Sequence, residues 1–565
     1  MKRLPPQPLY AVPESVLDLA RRFQYPDMDT VTPLAQPSGG GGTPTVVVAA
    51  ANATDISKSK ADYICSGAND QTTVLEAISV IEATGVGGRL LLTEGQFNFV
   101  AANDTIIQSN QAGLTIEGMG PEATTIVVTG VFGAGDGVFD CSAADVQIRQ
   151  LRLEENTNDA SAHFGIITGG DRSRVIDVDG WVTGSASVFL QLDGSLSMAR
   201  GLNIEEGTVG IRSSAQFGSI SECNIFTHDT GVTLDSTSTS MRVVNNHING
   251  FSKAIEIIDS DDIVIVGNKL DAVSPVDVTN SDTLVMAGNV MDCSGAAIIG
   301  TGTNWQITGN IITGGTWGVD NQGDAEWLIA DNIFIGTFGC RFDVGANNCL
   351  VAGNTFDSGG QILFDGGSFN GCKVTGNTVV SGQGDAVDGI IVFDNGAVDC
   401  QITDNQIYDA NAEDAIRVTG ATDVMISGNQ IGEGADKGIV VSSGVRCQVV
   451  ANSVKFSGEH GIDYGGADGE LVGNLVYGSG QNTTNTWDNI IVAGNANLVE
   501  ANHVLPAPSA PVTRYGINIA SGSNNAVYAN ALGDSSVYGT ADSIDSGTAT
   551  QTTPAAGAIG GQFTY

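Results

Sequence analysis

The sequence predicts an all-β fold, a right-handed parallel β-helix (solenoid) entered through a short N-terminal capping helix. Three observations carry this. One Asn recurs at near-constant spacing, apolar residues stand at two-residue intervals around it, and the intervening turns are rich in Gly, Asn, Asp and Ser.

The recurring residue is Asn224, Asn246, Asn268, Asn289, Asn310, Asn332, Asn354, Asn377, Asn405, Asn429, Asn452, Asn474, Asn502 and Asn530, at intervals of 21 to 28 residues. Two places after it stands an apolar residue, as at Phe226, Ile248, Ile312, Phe334, Ile407 and Val504. Three places before it, every coil but that of Asn224 is apolar, as at Val243, Ile307 and Val499. Five places before come Met241, Trp305, Trp327, Cys349, Cys372, Cys400 and Cys447. A spacing of two is strand spacing, so these positions share one buried face. Trp305 and Trp327 are then interior, and Trp317 is outside. Asn suits the turn because it tolerates left-handed backbone, and stacked amides can bond along a column.

A leucine-rich repeat has a similar core spacing. Leu is scarce at the key positions here, however, and the second half of each repeat ("AIEI", "GIIV", "AIRV", "GIVV", "GINI") reads as another strand. Short parallel strands joined by right-handed crossovers stack into a β-helix, with coils about 4.8 Å apart.

The entry segment, "DYICSGANDQTTVLEAISVIEATGVGGRLLLTEGQFNF" (62–99), holds a helical stretch near Thr72 to Thr84, then a G-G-x-L strand and "EGQF". It resembles the opening of pectate-lyase-like parallel β-helix proteins, closest in style to virus (phage) tail spike and fibre proteins. The resemblance spans roughly Asp62 to Leu532. It implies the fold and a helix that plugs the first coil. The chemistry stays open, because that superfamily holds lyases, hydrolases, epimerases and inert adhesins.

Residues 1–44 form a Pro- and Gly-rich arm ending in "PSGGGGTP", too poor in apolar residues for a core of its own. It is expected to serve virion attachment or trimerisation; the plainer alternative is a disordered leader. The solenoid is placed at 45–533, with its N-terminal cap at about 62–99. Residues 534–565 read as a polar C-terminal cap or tail.

An apolar content of 41% over 565 residues is ample for a core. No stretch approaches the roughly eighteen apolar residues of a membrane span. The opening "MKRLPPQPLYAVPESVLDLARRF" lacks the apolar centre of a secretory signal, which suits a virus particle released by lysis. Of nine Cys, the four in the buried column read as small apolar fillers, not a disulfide framework. No C-x-x-C or paired-His spacing calls for zinc, and no motif indicates a cofactor or a divalent cation such as calcium. With 63 acidic against 23 basic residues the net charge is −40, which excludes nucleic acid as a partner. Acidity spread along the chain fits a saline, halophilic setting or simple repulsion between particles.

Three enlarged coils, "SGQGDAVDG", "GSGQNTTNTWDN" and "PAPSAPVTRYG", all grow after the post-Asn strand, so they overhang one side. Beside them, ahead of the next strand, stand Asp388, Glu413 and Asp414, Asp436 and Lys437, Glu459 and His460, Trp487 and Asp488, Arg514 and Tyr515. Carboxylates on adjacent or alternate coils would lie about 5 or 9–10 Å apart, which brackets the two glycosidase arrangements. Asp388, Asp414 and Glu459 are therefore the catalytic candidates. Asp388, Asp414, Glu459, His460, Trp487, Asp488, Arg514 and Tyr515 are the candidate ligand-binding set, acids accepting sugar hydroxyls and rings stacking on sugar faces. The plainer reading is solvated surface in an acidic chain. "SDDIVIVGN" (260–268) is similar to the paired Asp of polygalacturonases, but that family's N-T-D, G-H-G and R-x-K motifs are missing, so Asp261 and Asp262 read as turn residues.

The expected function is a virion surface protein (tail spike, fibre or capsid spike), exposed outside cells as a homotrimer. It would attach to a host surface glycan or glycoprotein, bind other virion proteins through its arm, and insert in no membrane. A polysaccharide lyase or glycoside hydrolase is the first alternative, and a cell-surface adhesin the second.

Overall fold

The computed structural model describes residues 43–533 except 103, 156–162, 183–186, 324, 337, 381–388, 409–413, 434, 484–485 and 507–512, together with 541–545 and 563–564. The arm expected at 1–44 thus lies almost wholly outside the described residues. Contacts divide the chain into two units, Met1–Phe251 with Asp262–Leu270 and Val285–Val290, and Ser252–Asp261 with Asp271–Leu284 and Met291–Tyr565. Among the described residues no helix is long and apolar enough to cross a membrane.

In the first unit the strand Thr45–Ala49 pairs in parallel with Gly88–Leu92. The helix Gln71–Glu82, close to the predicted span, lays Val74, Ala77, Ile78 and Ile81 into the interior and packs on both strands. That spacing puts all four on one helical face. Longer strands follow, Gln147–Glu155 pairing with Arg174–Val182 along their length.

In the second unit each coil supplies three short strands, and each pairs in parallel with its counterpart one coil on. Gln306–Thr308 pairs with Leu328–Ala330, Ile311–Gly314 with Ile333–Ile335, and Val319–Asn321 with Gly339–Phe342. This is the right-handed parallel β-helix expected. Trp305 and Trp327 are 0% and 1% exposed and stack at 3.9 Å. Their indole N–H groups donate to the Ser281 and Gly302 carbonyls at 2.7 and 2.8 Å, so neither ring buries an unmet donor. Cys349, Cys372, Cys400 and Cys447 are buried free thiols in the same column, as read from the sequence.

The Asn residues form the ladder anticipated. In the second unit the backbone N–H of Asn310 donates to Oδ1 of Asn332, and each link to Asn530 repeats this at 2.9–3.0 Å. Amide donors complete it, as where Asn377 Nδ2 reaches the Val351 carbonyl at 2.9 Å. Asn246, Asn268 and Asn289 do the same in the first unit.

Two details differ from the sequence reading. The left-handed backbone belongs to the residue before each Asn, as at Gly309 (φ 63°), Asp331 (φ 55°), Gly353 (φ 64°) and Ala451 (φ 55°). The chain bends there, which frees the Asn amide to turn inward. Asn224 also stands one place out of register. Cys223 occupies its ladder position, its N–H donating to Asn246 Oδ1 at 2.9 Å, while Asn224 aligns with Asn203 and His247. Ile225 is therefore buried and Phe226 is 36% exposed, the reverse of the expectation. The polar Ser221, three places before Asn224, was the visible sign.

Trp327→Asp should abolish cooperative folding, because it removes packing of about 3–5 kcal/mol and buries a charge. Trp317, half-buried outside the column against Phe338 at 5.6 Å, should accept Asp with a small shift in melting temperature by circular dichroism. Equal tolerance of both changes would overturn the register.

Candidate functional site

The residues singled out ahead of the third strand fall in the second unit. Asp388 and Glu413, with the loop 381–388, lie outside the described residues. Asp414 is in register with Lys437. The N–H groups of Gly438, Gly461 and Asn489 then bond the carbonyls of His460, Asp488 and Tyr515 at 3.1, 3.3 and 3.0 Å, which carries the register onward. The column reads Asp414, Lys437, His460, Asp488, Tyr515, with Glu459, Trp487 and Arg514 each one residue ahead. A cation and an imidazole separate Asp414 from Asp488 in this column, while one residue ahead Asp436 and Glu459 stand on adjacent coils, the Glu459 N–H donating to the Asp436 carbonyl. Lys437 itself is held by Asp463 at 3.0 Å.

Asp488 is the anchor of this end. Its side chain is fully buried and takes a two-pronged bond from Arg514 at 2.9 and 2.7 Å, plus the Asn518 amide at 2.9 Å. Its backbone N–H donates to His460 Nδ1 at 3.0 Å. Burial pushes the His460 pKa below the usual imidazole value, which favours the neutral ring that can accept this bond. Trp487 lies edge-on to His460 at 5.1 Å, and the Arg514 guanidinium sits 5.0 Å over the Tyr515 ring. Asp488 has no face left for a ligand, whereas Trp487, Arg514 and Tyr515 stay half-exposed.

A cleft of about 440 Å³ opens beside this column, lined by Glu433, Ala435, Asp436, Phe456, Gly458, Gln481 and Asn482 from three successive coils. Asn482 Nδ2 donates to Asp436 Oδ1 at 2.8 Å, tying the second enlarged loop across two coils. Phe456 meets Tyr477 edge to face at 5.0 Å. Sequence reasoning found Asp436 and the loop holding Gln481 and Asn482, but not Glu433 or Phe456. Each is unremarkable in its own coil, and only stacking brings them together.

A third position was not foreseen. Asp320, on the strand Val319–Asn321, is 7% exposed, and its Oδ1 has no hydrogen-bond partner among the described residues. Burial pushes its pKa up against the opposing pull of Arg341, the residue in register on the next coil. Arg341 in turn holds Asp343 at 3.1 Å and Asp365 at 3.4 Å. One buried carboxyl with a raised pKa thus stands near two paired with a guanidinium.

Residues 368–564 match the family model described as "Periplasmic copper-binding protein (NosD)". Among the described residues no group of three or more His, Cys, Asp or Glu is placed to hold a metal ion. No curated protein matches the chain. Among solved structures, the A-module of the mannuronan C-5 epimerase AlgE6 from Azotobacter vinelandii is 14% identical at a TM-score of 0.26, over 72% of this chain and 94% of that one. The PL6 family alginate lyase AlyGC is 10% identical at 0.42, over 90% and 99%. A tailspike mutant of E. coli bacteriophage HK620, solved with a pentasaccharide, is 11% identical at 0.37, over 68% and 72%. Identities and scores this low leave the chemistry to this chain's own residues.

Asp488→Ala should cost stability, because it strands Arg514 and Asn518 in the wall. The loss should fall near the lower end of the ~3–5 kcal/mol seen when one partner of a buried pair is removed, since Arg514 keeps contact with water. Trp487→Ala should cost less, and denaturant unfolding of the two variants distinguishes them.

Proposed function

We propose that the protein is a virion surface protein (a tail spike, fibre or capsid spike) that attaches to a host surface glycan, as a homotrimer exposed outside cells. The cleft carries this reading. It offers carboxylates and carboxamides to sugar hydroxyls and the Phe456 ring to a sugar face, beside the loops that depart from regular coil length. Glu459, Trp487, Arg514 and Tyr515 flank it in this proposal and extend the contact, with Asp388 proposed to contribute as well, whereas Asp414 is buried. The Pro- and Gly-rich arm at 1–44 would join the solenoid to the particle.

Labelled full-length chain should adsorb to cells infected by a virus that carries it, and mild periodate, which cleaves the vicinal diols of surface sugars, should reduce adsorption about tenfold or more. Adsorption that survives periodate but not protease would assign a protein receptor instead.

Asp320 favours a second reading, a glycoside hydrolase. A buried carboxyl with a raised pKa is suited to donate a proton to a glycosidic oxygen, while the neighbouring Asp343 side chain takes the proton of the attacking water. If so, Asp320→Asn should abolish release of reducing ends from isolated host envelope polysaccharide and leave adsorption intact. A wild type that releases none removes this reading.

A further inference from the structure

The cleft in the second unit also bears on which sugars it takes, an inference that rests on the glycan reading above. Its polar lining is made of two carboxylates, Glu433 and Asp436, and two carboxamides, Gln481 and Asn482, with Phe456 as the ring. Among the described residues no Lys, Arg or His belongs to that lining. Two of the basic side chains close in sequence are committed to acids. Lys437 is paired with Asp463 at 3.0 Å, and Arg514 is bound at both prongs to buried Asp488. Lys455 follows buried Val454 on the outer strand face, in register with Tyr477.

The consequence is one of sign. A uronate or sulfated sugar would bring a fixed negative charge against two carboxylates with no cation in the lining to offset it, inside a chain of net charge −40. A sugar hydroxyl is a donor, and a carboxylate is the strongest acceptor available to it. Carboxamides can both donate and accept, which suits a hydroxyl's remaining lone pairs. Proton abstraction beside a uronate carboxylate, the first step of elimination or epimerisation, also needs that carboxylate neutralised as negative charge builds on carbon. The lining supplies nothing to do this.

We infer that the cleft takes an uncharged glycan, a chain of neutral hexoses or N-acetylated hexosamines, and rejects polyuronates and sulfated glycans. The folded full-length chain, probed against an array of neutral, uronate-containing and sulfated oligosaccharides, should bind neutral members alone. Phe456→Ala and the double change Glu433→Gln with Asp436→Asn should each weaken that binding about tenfold. The double change should also let acidic members be retained, a gain that mere loss of structure cannot produce. Both variants would be checked for an unchanged melting curve.

Binding confined to acidic members, with loss in Phe456→Ala, would keep a glycan site and overturn the uncharged assignment. The same holds if acidic members bind only while calcium is present and are released by a chelator. Neutral binding indifferent to both variants would place the glycan elsewhere and overturn the inference at this cleft. Binding to no member would overturn the glycan reading together with it.

Discussion

A backbone polar group buried at a turn inside a stack of coils must find its partner in the coil above or below, because no water reaches it. The Asn ladder is the solution this chain repeats. One side chain supplies an acceptor to a backbone N–H on the preceding coil and donors to a carbonyl, where an unmet group would cost about 1–3 kcal/mol. The bend is made by the preceding residue in the left-handed region, so geometry and hydrogen bonding are divided between neighbours. A second, shorter ladder appears five places earlier, where the Gly469 N–H bonds Asn497 Oδ1 and the Asn497 N–H bonds Asn525 Oδ1, both at 2.9 Å. At that level Tyr464 fills the interior and donates its hydroxyl to the Cys447 carbonyl at 3.1 Å. Asn therefore replaces Cys and Trp in the column where the filling changes.

Once the ladder sets the register, the interior is filled by stacking like on like. Phe342, Phe364 and Phe393 follow one another at 4.4 and 4.3 Å, with rings 7° from parallel. Trp305 and Trp327 need Gly302 beside them, because at φ 145° an added Cβ would collide with the Ser281 carbonyl and crowd the indole nitrogen of Trp305. Thiols serve as small apolar filling, and burial raises the pKa of Cys141 to about 12, which keeps that thiol unreactive.

The same regularity separates structural from available carboxylates. Asp488 is sealed in the wall and spent on Arg514 and Asn518, while Glu433 is exposed at the cleft. Residue type does not distinguish the two roles; burial does. Asp320 lies between these cases, buried yet incompletely bonded.

The ladder Asn, the two-residue apolar spacing and the stacked Trp pair were legible in the sequence because each obeys a local period that recurs every coil. The helix near Thr72 was legible for the same reason, since its apolar face is a local pattern. A one-place slip such as Asn224 was not, because residue identity matched and only pairing with Asn203 and His247 could expose the shift. The candidate stripe could be placed on the correct turn, but not resolved into Asp414, Lys437, His460 and Asp488 in one column. That order depends on loop lengths between coils, which sequence spacing alone does not convert into register. The cleft of Glu433, Phe456 and Asn482, and the burial of Asp488, were decided by tertiary structure alone. Both arise from contacts between residues more than twenty positions apart, and no local period encodes which side chains such stacking will expose.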